Sequence, residues 1–189
     1  MKRRSGGFTL LELIVVTAVC AVLVAAASPA VFTVLTGTEN NSNRVTALTQ
    51  IQNVGAQMSR DAMQATAVDV SKDTGFPVTL SWGDMWYEEG KSGPGSWVSV
   101  DHYVTYALVG NELRRQERML TSVFSETGEQ QGPTIEIDSD SLVSQYLTAA
   151  TASKNGGVLS VSATARFPLS GGRYVAEETR NYEITPRVE

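Results

Sequence analysis

The sequence predicts an α+β fold, one long N-terminal helix packed on an antiparallel β-sheet, and three observations carry that prediction. Residues 13–38 contain no charged side chain. Val45, Leu48, Ile51, Val54 or Gly55, Met58, Ala62 and Ala65 then recur at steps of three and four, the spacing of a helix with one apolar face. Beyond Val68 the apolar period drops to two, the signature of half-buried strands. An amphipathic helix must lay its apolar face on something, and a sheet is the partner this chain supplies.

The chain begins with a basic leader, Lys2-Arg3-Arg4, followed by Ser5-Gly6-Gly7 and then by the apolar run. About 20 apolar residues rising about 1.5 Å each cross a ~30 Å hydrocarbon core, so the run is long enough to span a membrane. The basic residues precede the span and the acidic remainder follows it. The positive-inside rule then keeps the leader cytoplasmic and sends the C-terminal part out, as a single-pass inner-membrane protein. Pro29 has no N–H to give the carbonyl of Ala25 and is expected to kink the helix. Thr36-Gly37-Thr38-Glu39-Asn40-Asn41-Ser42-Asn43 is poor in helix formers, so fraying is expected there within one helix running from about 8 to about 67.

Strands are expected over 76–82, 97–109, 112–120, 134–137, 158–167 and 173–185. Gly110-Asn111 turns one hairpin, and Ser170-Gly171-Gly172 turns another. Residues 83–96, with Gly90, Gly93, Pro94 and Gly95, read as a mobile loop, and 140–152 as a short helix capped by Asp140 or Ser141. The organisation is thus a leader (1–7), a membrane helix (8–35), its amphipathic continuation (36–67) and an extracytoplasmic β domain (68–189).

With 189 residues, about 155 of them beyond the span, the chain holds one extracytoplasmic domain with a real core. The net charge is −5, and removal of Lys2, Arg3 and Arg4 leaves 12 basic against 20 acidic side chains, or −8. That balance gives no broad attraction to nucleic acid. Cys20 is the single cysteine, so intramolecular disulfides are excluded and packing alone must hold the domain.

Glu12 stands out. A carboxylate a turn inside an apolar helix costs roughly 2.5–3.5 kcal/mol on insertion scales, less near the interface, and normally has a partner. If the chain is cut between Gly7 and Phe8, the new α-amino group of Phe8 is a cation at the depth of carboxylates on neighbouring copies, and side-by-side packing with a small stagger neutralises both. Gly7-Phe8-Thr9-Leu10-Leu11-Glu12 resembles the N-terminal signal of type IV pilins and type II secretion pseudopilins. The resemblance implies that a prepilin peptidase cleaves before Phe8 and methylates its amine, that Glu12 orders subunit addition, and that Pro29 is the family's helix-kinking proline. It also implies a pilin-like fold and the partners that go with it: other pilin or pseudopilin subunits, the peptidase, an inner-membrane assembly platform and lipid. Arg60-Asp61-Ala62-Met63-Gln64-Ala65 and Val104-Thr105-Tyr106-Ala107-Leu108-Val109-Gly110-Asn111-Glu112-Leu113-Arg114-Arg115 are similar to stretches of the larger, W/J-like minor pilins, although a helix end and an ordinary hairpin would read the same way.

Other readings of the N-terminus are weaker. A conventional signal peptide cut after Ala25-Ala26-Ala27 leaves an acid inside its apolar region, a lipoprotein needs a small residue where Val19 precedes Cys20, and a plain signal anchor leaves Glu12 unexplained. No catalytic site, cofactor or metal is expected. His102 is the single histidine and reads as a surface or sheet-edge residue. Asp138-Ser139-Asp140 offers oxygen ligands but lacks the glycine and glutamate of a calcium loop. Trp82, Trp86, Tyr87 and Trp97 read as core in preference to an exposed contact surface. Arg114, Arg115 and Arg118, with Glu112 and Glu117, read as a solvated strand edge in preference to a subunit contact.

Overall fold

The computed structural model describes residues 9–72, 75–89, 95–169 and 175–187. One helix, α1 (Leu10–Ala62), is followed by eight strands: β1 (Ala67–Val70), β2 (Val78–Glu88), β3 (Ser96–Val109), β4 (Glu112–Ser125), β5 (Ile135–Ser144), β6 (Leu147–Asn155), β7 (Val158–Phe167) and β8 (Ala176–Ile184). The architecture is α+β, with antiparallel sheets after a single long helix, as expected. The chain divides into two compact units, Met1–Ser42 and Asn43–Glu189.

In the first unit the described residues are exposed almost throughout, including Leu10, Ile14, Val22, Val31 and Leu35. The hydroxyls in this segment turn back onto the helix. Thr17, Ser28, Thr33, Thr36 and Thr38 donate to the carbonyls of Leu13, Val24, Pro29, Phe32 and Val34 at 2.8–3.0 Å. Each polar side chain is thereby satisfied without water, which suits an apolar surrounding. The expected fraying over 36–43 is absent, and α1 runs through it. Weak helix formers cost little inside a long helix, because propagation needs no new nucleus.

In the second unit Ala47, Ile51, Val54, Met58 and Ala62 of α1 form one core with Val78, Leu80, Val104, Tyr106 and Leu113 of the large sheet and Leu147, Leu159, Val161 and Ile184 of the small one. Each large apolar side chain buried here contributes roughly 1.5–3 kcal/mol. The large sheet has the order β1-β2-β3-β4-β5, and the small sheet the order β6-β7-β8. Gly55 lets the small sheet approach the helix: a Cβ there would lie 2.2 Å from the ring of Tyr182. The Tyr182 hydroxyl donates to the Ile51 carbonyl at 2.9 Å.

Several expected boundaries move. The helix ends at Ala62 instead of 67, because the Thr66 amide is taken by the Ser81 carbonyl at 2.9 Å and the next residues pair as β1 with β2. The first part of the stretch 83–96 is strand: 83–88 belong to β2, with Gly83 in register with Asp101, and 89–95 separate β2 from β3, with 90–94 outside the described residues. The helix expected over 140–152 does not form. β5 continues to Ser144 and β6 starts at Leu147, since β-branched Val143, Thr148 and Thr151 fit a pleated pair better than a helical turn. The strand expected over 134–137 is the start of the ten-residue β5. Both expected hairpins form. Gly110 takes φ +61° in the β3–β4 turn, and the 170–172 turn lies outside the described residues.

Candidate functional site

The N-terminal site is built on the first turn of α1. The Thr9 hydroxyl accepts the Glu12 amide proton at 3.3 Å, while the Glu12 carboxylate accepts the amide and hydroxyl protons of Thr9 at 3.4 Å each. This reciprocal arrangement is a capping box, and its Thr-x-x-Glu spacing is visible in the sequence although the sequence reading missed it. Glu12 therefore has a structural task inside its own chain. Its bonds to Thr9 are long and the residue is exposed, leaving the carboxylate able to accept a stronger donor. Gly7 and Phe8 lie outside the described residues. Pro29 lies inside α1, and Cys20 is exposed on it.

A second constellation joins the end of α1 to the inner face of the large sheet. Asp61, nearly dry, accepts protons from the Tyr106 hydroxyl and from Arg115 Nε, each at 2.6 Å. Arg115 Nη1 donates to Glu117 at 2.7 Å. Glu117 lies 3.4 Å from His102 Nδ1, and Asp84 lies 3.7 Å from His102 Nε2. The His102 ring stacks on Trp82, with centroids 4.8 Å apart and planes 7° from parallel. Burial, then the hydrogen bond to Asp61, raises the Tyr106 pKa well above the ordinary phenol range. Burial opposes the Arg115 charge, but its bonds to Asp61 and Glu117 outweigh that and push its pKa up. Burial likewise disfavours ionised Glu117, yet the Arg115 guanidinium wins and holds its pKa below the usual value. Arg115 bridges Asp61 and Glu117, so the constellation clamps the end of the helix to the sheet.

The clamp corrects two expectations and joins two of the stretches singled out in the sequence. His102 is neither surface nor edge: it lies on β3, the central strand, half-buried under Trp82. Arg115 is not on a solvated edge, because β4 has β5 beyond it; Arg114 pairs with Glu112 and Asp140, and Arg118 with Glu136. The two weak stretches noted around Asp61 and over 104–115 meet through Asp61, Tyr106 and Arg115, a contact that neither shows alone.

The aromatic expectation holds for Trp82 alone. Trp86, Tyr87 and Trp97 are 47%, 41% and 42% exposed. Tyr87, Trp97 and Phe124 occupy one register level across β2, β3 and β4. Tyr87 packs edge-on against Trp97, and its hydroxyl donates to Glu126 at 2.7 Å. That bond, first among the causes, raises the Tyr87 pKa. Asp138, Ser139 and Asp140 alternate along β5 and do not form a loop. Among the described residues, no group of three or more histidine, cysteine or carboxylate side chains is placed to hold a metal.

Residues 2–28 match the family described as the prokaryotic N-terminal methylation motif. No curated protein and no solved structure matches the chain. The matched segment is similar to the prepilin signals of type IV pilins and pseudopilins. Among the described residues one helix is long and apolar enough to cross a membrane, and with the motif it supports a single-pass, membrane-anchored protein.

Proposed function

We propose that the chain is a non-enzymatic structural subunit of a type IV pilus or type II secretion filament, of the minor pilin or pseudopilin kind. The observation that carries this reading is the junction of the methylation motif over 2–28 with a helix whose membrane-length apolar half has no protein cover in the single chain. Such a helix needs lipid before assembly and other helices after it. In this reading a prepilin peptidase cleaves between Gly7 and Phe8 and methylates the Phe8 amine, with the leader cytoplasmic and the β domain outside. The Glu12 carboxylate then exchanges its long bonds to Thr9 for the charged amine of a neighbour, which sets the register of addition, and Pro29 shapes the packed helix. The partners are other pilin or pseudopilin subunits, the peptidase and the inner-membrane assembly platform.

The row of exposed Tyr87 and Trp97 with half-buried Phe124 supports a second reading, an anchored module that binds a secreted substrate, a surface or DNA through aromatic faces. Glu12→Ala separates the two. A filament subunit loses incorporation while it stays folded and cleaved, whereas an independent receptor keeps its binding. The first experiment is intact mass and N-terminal sequencing of the protein from membranes with and without the peptidase. A chain starting at N-methylated Phe8 in the peptidase-positive cells alone is the expected result. A start at Ser28, or an uncut chain in both, overturns the reading.

A further inference from the structure

Strand β5 ends the large sheet, so among the described residues the backbone donors and acceptors on its outer side have no ladder partner. Residues 135–142 are exposed in succession, and burial begins at Val143 and Ser144. The run is regular, since the register shift in the β4–β5 pair falls at its far end, beside Leu113 and Arg114. It contains no proline and no lysine, two devices that blunt an exposed edge.

Alternation gives this edge two chemically different rims. Glu136, Asp138 and Asp140 stand opposite Leu120, Arg118 and Gln116, and share one face. Ile135 and Ile137 stand opposite Thr121 and Met119 on the other face, 58% and 50% exposed. The arginines that offset the acids, Arg118 and Arg114, lie one strand further in. An added strand, about 4.8 Å away, therefore meets three carboxylates along one rim and two isoleucines along the other.

A second copy of β5 fits badly. Antiparallel self-pairing puts both sets of acids on one face at cross-strand distances of about 4.5–5.5 Å, where like charges repel. The other edges of this chain offer no better match. β1 has four residues and carries Asp69, β6 has one cation, Lys154, already donating to the Val68 carbonyl, and β8 carries Glu177, Glu178 and Glu183 against one cation, Arg180.

We infer that β5 is a strand-addition site for an extended segment of a different protein, one that alternates basic and apolar side chains. Backbone pairing supplies the affinity, the basic side chains meet Glu136, Asp138 and Asp140, and the apolar ones cover Ile135 and Ile137. The acids select the partner and exclude the copy.

The test uses the full chain in detergent micelles with three fluorescent eight-residue probes: an alternating lysine/arginine–valine peptide, the same peptide N-methylated at every second amide, and a glutamate–valine peptide. Saturable binding of the first is expected, with at least about tenfold weaker binding of the other two. Slowed hydrogen exchange within 135–142 is expected to accompany it. D138K/D140K is expected to reverse the preference between the basic and acidic probes, with unchanged thermal unfolding showing that the sheet is intact. Equal binding of the methylated probe, protection elsewhere than 135–142, or no binding of the basic probe overturns the proposal.

Discussion

Asp61, one residue before the end of α1, and Arg115, 54 positions later on β4, form a 2.6 Å ion pair with both side chains largely shielded from water. Their charges are mutually dependent, because each is buried only by virtue of the other. Removing one partner strands the second, which typically costs about 3–5 kcal/mol. Asp61→Ala is therefore expected to lower the thermal unfolding temperature of the chain in detergent far more than Arg114→Ala, whose guanidinium is more exposed. Equal effects of the two substitutions would count against the clamp.

The same clamp sets a pH dependence. The Glu117 pKa is depressed in the folded state, so its stabilisation is present above the ordinary glutamate range near 4.3 and is lost as pH falls through the lower, folded value. The Tyr106 pKa is raised, so its contribution is complete below about 10, where the unfolded phenol starts to ionise, and declines as pH rises further. Unfolding curves recorded across pH are expected to show both flanks. Glu117→Gln should flatten the acid flank and Tyr106→Phe the alkaline one, each leaving the other in place.

Gly55 offers a test with an inverted sign. Replacing glycine by alanine inside a helix ordinarily stabilises by roughly 0.5–1 kcal/mol. Here the new Cβ would meet three atoms of the Tyr182 ring, the nearest at 2.2 Å. Gly55→Ala is expected to destabilise by about 1–3 kcal/mol, the usual cost of overpacking. Adding Tyr182→Ala should then recover part of the loss, and chemical denaturation of the single and double variants measures it. A stabilising Gly55→Ala would mean that the small sheet does not sit on the helix at that point.

The long-range consequences of the fold were the part that the sequence concealed. The uncharged run, the buried helical positions Ile51, Val54, Met58 and Ala62 and the Gly110-Asn111 hairpin are local signals, and the structure has each of them, whereas Val45 in the same spacing is exposed and Ala65 is buried beyond the end of the helix. The helix end depended on a partner 15 residues away, the Ser81 carbonyl that takes the Thr66 amide. The loop expected over 83–96 starts too early, because a glycine in a paired strand is merely a weak strand residue and Gly83 lies in β2. His102 looked like an edge residue because sequence shows neither which strand is central nor that Trp82 lies in register with it. The capping box is legible in the Thr9-x-x-Glu12 spacing, where one acid serves both the helix end and the pairing expected with a neighbour.

That double role of Glu12 gives the sharpest test of assembly. Thr9→Ala removes the hydroxyl that caps the helix but leaves the carboxylate, at a cost of roughly 0.5–2 kcal/mol to the first turn. Glu12→Gln keeps an acceptor within reach of the Thr9 amide and removes the charge. If Glu12 serves mainly as a cap, Thr9→Ala is the more damaging change and Glu12→Gln is mild. If the carboxylate pairs with a neighbour's N-terminal amine, Glu12→Gln should abolish incorporation into sheared filaments, while Thr9→Ala reduces it only modestly. Both variants should accumulate in the membrane as folded chains, since neither residue touches the core of the second unit. Quantifying each variant in membrane and filament fractions decides between the cap and the charge, because the two roles rank the substitutions in opposite order.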